Sequence, residues 1–231
     1  MKMQPTVSII MNCHNGQRYL SESIRSVINQ SYKNWELIFY DNFSHDNSYL
    51  ILKKFKDKRI RYFKSNKFLK LYAARNEAIK KAKGKYIAFI DTDDLWEKSK
   101  LTDQVNLIKK KLYNIIYSNY YILNKKKKFI NFPFDLPSGK ITEKLVKKYF
   151  IGILTVLIEK KIFTKNRFNE KYNIIGDFDL FMKLSTKYKI GAIQKPLATY
   201  RNHDLNLSKR AIKTHISELE NWIKLNSKIF N

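Results

Sequence analysis

Gly84-Lys85-Tyr86-Ile87-Ala88-Phe89-Ile90-Asp91-Thr92-Asp93-Asp94 reads as a buried strand that runs straight into three carboxylates. Gly84 stops a preceding helix lined by Ala74, Ala78 and Ala82. Upstream the same alternation repeats. Val7 to Met11 is an apolar strand followed by a turn at Asn15-Gly16, and Leu20, Ile24, Val27 and Ile28 then share one helical face. Trp35 to Tyr40 is a second strand, ending in Asp41-Asn42-Phe43-Ser44-His45-Asp46. A short helix with Leu50, Leu52 and Phe55 leads to a strand at Ile60 to Phe63. Repeated β-α-β order predicts an α/β fold: a Rossmann-like, mostly parallel central sheet flanked by helices.

Downstream the pattern is less regular. Leu101, Val105, Ile108 and Leu112 form one more helical stripe, before a strand at Ile115 to Tyr121. Lys125 to Lys128 read as a charged hairpin tip, and Thr142 to Phe150 as a helix. The apolar run at 151–158 has the length of a buried strand or short helix. A helix starts near Asp177, strands follow near Ile190 and Ala198, and Ile212, Ile216, Leu219, Trp222 and Ile223 lie at helical spacing. With no repeat and no flexible linker, a single domain over 1–231 is expected. Its halves run to about 103 and from about 104 to 205, and an amphipathic helix fills about 206–231.

The 231 residues, 44% of them hydrophobic, suffice for a real core. No apolar run reaches the roughly 20 residues that span a bilayer. The amino terminus carries no basic-then-apolar leader pattern, and the lone Cys13 excludes an intrachain disulfide. These features predict a cytoplasmic protein. A formal net charge of +26 raises nucleic-acid binding as a function class. The charge is mostly lysine, however, whereas direct base readout leans on arginine. A solvated lysine surface is the plainer reading, no nucleic-acid partner is expected, and peripheral contact with anionic lipid is the secondary reading.

In parallel α/β sheets ligands bind beyond the carboxyl ends of the strands. Three such ends are polar here: Asn12-Cys13-His14-Asn15, Asp41, and Asp91-Thr92-Asp93-Asp94. An Asp after a strand is often only a turn former. Three carboxylates within four residues repel one another unless a cation neutralises them, and hard oxygen ligands favour Mg²⁺ or Mn²⁺.

The blocks Val7 to Leu20, Gln30 to Ile38, Asp41 to Ser48, Ala73-Ala74-Arg75-Asn76 and Gly84 to Asp94 together resemble, in order, the family 2 glycosyltransferases of GT-A fold. The resemblance covers residues 6 to about 103. It implies an inverting enzyme that transfers a sugar from a nucleotide-sugar donor, a UDP-sugar, to a glycan or lipid-linked acceptor in surface-polysaccharide assembly. Asp41 would accept a hydrogen bond from the nucleobase, and Asn12, His14 and Asn15 would surround base and ribose. Arg75 would approach the nucleotide or its phosphates. Asp91 would lie near the ribose, and Asp93 would be the direct metal ligand. For Arg75 the plain structural alternative is a surface pair with Glu77 or Asp94.

His14 stands where the family often has Tyr, and Phe43 and Lys70 where glycine is common; Lys70 would instead contact a phosphate. In Ile175-Gly176-Asp177-Phe178-Asp179 the first acid of the family's pair is replaced by Gly176. Asp177 aligns with the residue assigned as base, the group that takes the proton from the attacking hydroxyl. Capping of the following helix is its structural alternative. Tyr200-Arg201-Asn202-His203 resembles a late element in which the His lies near metal and diphosphate. The competing readings are a basic nucleic-acid-binding protein and a catalytically inactive interaction protein on the same fold.

Overall fold

The computed structural model describes residues 4–230. The first half resolves into β1 (Val7–Cys13), α1 (Leu20–Ile28), β2 (Trp35–Asp41), α2 (Ser48–Lys53), β3 (Ile60–Lys64), α3 (Leu71–Lys80) and β4 (Tyr86–Phe89). Strand order β3-β2-β1-β4 is parallel throughout, with Cys13 beside Asp41 and Ile10 beside Phe89. Alternate residues of β1 feed opposite faces: Ile10 packs with Ile38, Ile87 and Phe89, while Ile9 and Met11 join Leu37, Phe39 and Ala88. Burial on both faces is why these strands read as continuous apolar runs. Gly84 enters β4 so close to Ser8 that a Cβ would fall 2.5 Å from the Ser8 nitrogen.

The second half comprises β5 (Leu95–Trp96), α4 (Lys100–Ile108), β6 (Ile115–Asn124), β7 (Lys127–Ile130), α5 (Thr142–Lys147), β8 (Leu157–Glu159), α6 (Gly176–Ser185) and β9 (Ile190–Asn202). It closes with α7 (Leu207–Arg210) and α8 (Ile212–Phe230). The sheet continues as β4-β8-β6-β9-β5, with β7 beside β6. The unbroken parallel run therefore ends at β4, although β6 and β9 are parallel to each other. β8 is antiparallel to both β4 and β6, and β5 and β7 pair antiparallel with β9 and β6, so the sheet as a whole is mixed. The run 151–158 divides into a 3₁₀ turn at Ile153–Thr155 and the start of β8. The two strands expected near Ile190 and Ala198 are one, whose pairing with β6 is irregular where Pro196, lacking an N–H, interrupts the ladder.

The helices expected to reach Leu112 and Phe150 stop at Ile108 and Lys147, and Leu112 is exposed. The lysine hairpin turns at Lys125-Lys126, between the paired Asn124 and Lys127. Residue 231 of the expected terminal helix and residues 1–3 of the expected domain lie outside the described residues. Because β4 and β6 both oppose β8 they run the same way, and β9 is parallel to β6. The chain therefore leaves β9 at the same sheet edge as it leaves β1, β2 and β4.

Candidate active site

At that edge Asp41 is buried, and its two oxygens are engaged: Oδ1 accepts the Ser44 N–H at 2.8 Å and Oδ2 the Tyr62 hydroxyl at 2.9 Å. Burial and the bond to Asp41 push the Tyr62 phenol well above its ordinary range. Asp41 thus ties its turn, and each carboxylate oxygen keeps a lone pair for a further donor. His14 Nδ1 donates to the Asn42 carbonyl at 2.9 Å, and its exposed ring lies 4.6 Å from Phe68.

Asn15 has φ 52°, donates its N–H to Ser44 Oγ and accepts the His45 N–H, so it also shapes the loop. Phe43 occupies the left-handed region at φ 63°, a conformation glycine adopts without the Cβ penalty. Asn12 Nδ2 is buried and has no hydrogen-bond partner among the described residues. Lys70 stands exposed at the start of α3.

The acidic loop is bound into both halves. Arg75 is 3% exposed and donates to Asp91 at 2.8 Å, rather than pairing with Glu77 or Asp94 on the surface. Asp94 is buried and accepts the Arg201 N–H at 3.0 Å, while Arg201 Nε donates to the Asp93 carbonyl. A Cβ on Gly16 would fall 2.7 Å from Thr92 Oγ1, so the loop after β1 packs directly on the acidic loop. Burial, then the charge of Asp91, raises the proton affinity of Asp93. Burial and both neighbouring carboxylates raise that of Asp94 further. A cation placed here would relieve that repulsion.

His203 lies 110 residues from Asp93 in sequence, yet its Nε2 is 2.9 Å from Asp93 Oδ2. The Leu205 N–H donates to His203 Nδ1, so the ring proton sits on Nε2 and points at Asp93. Asn206 Nδ2 donates to the same carboxylate oxygen at 3.3 Å. Among the described residues no group of three or more His, Cys, Asp or Glu is arranged to hold a metal ion. The donor set nevertheless fits Mg²⁺ or Mn²⁺, which take one or two carboxylates and complete their shell with phosphate oxygens and water. Asp93 would be its carboxylate ligand, oriented by the His203 Nε2–H.

Asp177 occupies the first turn of α6, inside the helix rather than at its cap. Its Oδ1 lies 3.0 Å from the Tyr72 hydroxyl, which also lies 2.5 Å from the Ile174 carbonyl. One hydroxyl proton faces two acceptors, and burial pushes the Asp177 carboxyl up, against the opposing charge of Arg75. A buried carboxylate whose proton affinity is raised in this way suits proton abstraction. Gly176 explains the missing first acid: a Cβ there would fall 2.5 Å from the Tyr72 ring. The Tyr149 hydroxyl is also buried without a hydrogen-bond partner among the described residues, and the Asp177 charge raises its proton affinity after burial does.

Asp91, Arg75, Tyr72 and Asp177 therefore form a relay of contacts from the acidic loop to α6, hydrogen-bonded at its two ends and joined in the middle by the Arg75 guanidinium 5.5 Å from the Tyr72 ring centre. Tyr72 was not singled out from the sequence, although it directly precedes the Ala73-Ala74-Arg75-Asn76 block. Asn206 gave no signal. Glu218 gave none either.

The sequence profile of the family described as Glycosyl transferase family 2 matches residues 8–185. The chain is 37% identical over 188 residues to the Escherichia coli UDP-Glc:alpha-D-GlcNAc-diphosphoundecaprenol beta-1,3-glucosyltransferase WfgD, a match covering 81% of this chain and 72% of that protein. It is 35% identical to a glycosyltransferase of Rickettsia conorii, across 84% of this chain but only 32% of that longer protein. Among solved structures, residues 1–349 of Staphylococcus aureus TarS in complex with UDP-GlcNAc superpose with a TM-score of 0.74 at 18% identity, covering 86% of this chain and 59% of TarS 1–349. At that identity the likeness is one of fold: a mixed α/β sheet flanked by helices.

Proposed function

The chain belongs to glycosyl transferase family 2, and on that premise we propose that it is an inverting transferase that moves a sugar from a UDP-sugar to a lipid-linked glycan acceptor during surface-polysaccharide assembly. The relay from the Asp91–Asp93 loop through Arg75 and Tyr72 to Asp177 carries this reading. It sets a carboxylate beside, but separate from, the groups suited to a diphosphate. The named substrates of WfgD supply the donor and acceptor class.

Asp41 accepts from the base edge, His14 and Phe68 offer ring faces, and the unpaired Asn12 amide donates to the nucleoside. Mg²⁺ or Mn²⁺ would be held by Asp93, with His203 beside it, and would supply positive charge to stabilise a departing diphosphate. Asp177 accepts the proton of the acceptor hydroxyl as its oxygen attacks the anomeric carbon from the face opposite the leaving group. Tyr72 holds that carboxylate in place. Arg75 holds Asp91 oriented at the boundary between the two groups.

Exposed Leu205, Leu207, Ile212, Ile216 and Ile223 follow His203 closely in sequence, with Lys209, Arg210, Lys213 and Lys224 exposed among them. Apolar side chains interspersed with cations suit the surface of an anionic bilayer, where a lipid-linked acceptor resides. No helix among the described residues is long and apolar enough to cross a membrane.

The test is transfer from a panel of UDP-sugars, UDP-glucose first, to a short-chain GlcNAc-diphospholipid with Mn²⁺ present. A β-linked product from an α-linked donor is expected. A product that retains the donor's anomeric configuration would refute inversion, and transfer to no acceptor of this class would refute the acceptor assignment.

A further inference from the structure

The helix start that carries Asp177 is held from a distance. Its N-cap residue, Ile175, makes no side-chain cap bond, so the first N–H groups of α6 need partners from elsewhere. Glu218 of α8 instead binds the chain that leads into the helix, up to its N-cap residue. Its Oε1 accepts the Asn173 N–H at 2.6 Å and Asn173 Nδ2 at 3.1 Å, and its Oε2 accepts the Ile174 N–H at 3.0 Å and the Ile175 N–H at 3.2 Å. A carboxylate at this end of a helix is also favoured by the helix dipole. One turn further along α8, Trp222 Nε1 donates to Asp179 Oδ1 at 2.8 Å, and its ring meets Phe178 edge-on at 4.8 Å. Asp177 thus lies between two anchor points on the same inward face of a helix that begins 35 residues later, at Ile212.

We infer that Glu218 and Trp222 are positioning residues for Asp177, so that the C-terminal helix belongs to the catalytic apparatus. The inference rests on Asp177 acting as the base. The bonds to Asn173, Ile174 and Ile175 fix the chain just before Asp177, and the bond to Asp179 fixes it just after. Between them the carboxylate has little freedom beyond its own rotamer, and Tyr72 restricts that. Displacement of a reacting group by about 1 Å costs on the order of 10²-fold in rate. Loosening either anchor should therefore slow the proton-transfer step while leaving the nucleotide end, built on β1, β2 and β4, intact.

Glu218→Gln and Trp222→Phe test this. The first keeps shape but offers one acceptor oxygen to four donors, and the second keeps the ring against Phe178 but loses the N–H. For each, kcat and the donor KM are measured in the UDP-sugar transfer assay, together with amide hydrogen exchange over residues 173–175 and the melting temperature. The expected result is a kcat lowered roughly 10- to 100-fold with donor KM within about twofold. In Glu218→Gln, exchange at Asn173, Ile174 and Ile175 should quicken by about tenfold or more while the β1 and β4 amides are unchanged.

Wild-type kcat in both variants, or a donor KM that worsens in step with kcat, would overturn the inference. So would unchanged exchange at 173–175 in Glu218→Gln. Asp177→Asn is the control. If that variant stays active the base assignment fails by itself, whereas an inactive Asp177→Asn beside fully active Glu218→Gln and Trp222→Phe refutes only the positioning role.

Discussion

The two halves of the molecule hold their chemical groups by different means. In the first half, β1, β2 and β4 are parallel, in register and buried on both faces, and Asn12, Asp41 and Asp91 sit at or just past their ends. The polar loops there bond mainly to one another, as Asp41 does to Ser44 and Tyr62. In the second half, where the sheet is of mixed direction, Asp177 lies in the first turn of α6 and His203 just past the end of β9. They are placed by contacts with residues more than a hundred positions away, Tyr72 and Asp93. The nucleotide end is thus a property of the local fold. The placement of the proposed base Asp177 and of His203 is a property of tertiary docking. Damage to the first half should act on stability and donor binding together, and damage around Asp177 on turnover with donor binding spared.

The largest effect should come from Asp177→Asn. Loss of a general base lowers kcat by ~10³-fold, while UDP affinity measured by calorimetry stays within a factor of about two. A parallel loss of UDP affinity would break the division between the halves. Gly176→Ala should come next, because the new methyl would meet the Tyr72 ring. Overpacking of this kind costs about 1–3 kcal/mol, read as a lower midpoint in urea, and the displaced Asp177 should slow turnover as well. Wild-type stability in that variant would mean that Tyr72 is free to move aside and does not fix the base.

A third variant sharpens the comparison from the other side. Glu36 is buried and accepts from Ser8, Arg61 and the Lys83 N–H. Burial alone would raise its pKa, but those bonds outweigh it and hold the carboxyl below its ordinary 4.5. A depressed folded-state pKa means that the contribution to stability is fully present above about pH 4.5 and is lost as pH falls through the folded value. Glu36→Gln should cost about 1–2 kcal/mol at pH 7. It should also flatten the acid limb of the stability curve, measured by urea denaturation from pH 7 downward; an acid limb as steep as wild type would refute the assignment. The smallest effect is expected of Tyr149→Phe. Its hydroxyl is buried without a hydrogen-bond partner among the described residues, so removal should leave stability unchanged or raise it by ~0.5 kcal/mol, up to about 1. A clear destabilisation would show that the hydroxyl is satisfied after all.

Legibility in the sequence follows the same division. Strands buried on both faces announce themselves as apolar runs, so β1, β2, β4 and the carboxylates at their ends could be placed from residues alone. The mixed second half could not. β8 is three residues long, its antiparallel insertion between β4 and β6 leaves no local pattern, and β9 reads as two strands because Pro196 interrupts it. Asp177 and His203 could be picked out only by resemblance to the family. Their partners Tyr72, Asn206 and Glu218 are polar groups whose roles exist only once distant segments meet. Arg75, whose plain structural alternative is a surface pair with Glu77 or Asp94, is buried against Asp91, since helical spacing shows which face a residue takes but not what lies opposite.

The most direct test of the account is calorimetric binding of UDP with and without Mn²⁺, to the wild type and to Asp93→Ala. The account predicts binding that strengthens with Mn²⁺ in the wild type, and loss of that Mn²⁺-dependent gain in the variant. UDP binding indifferent to both Mn²⁺ and Asp93, or no binding of UDP, GDP, CDP or dTDP, would contradict it.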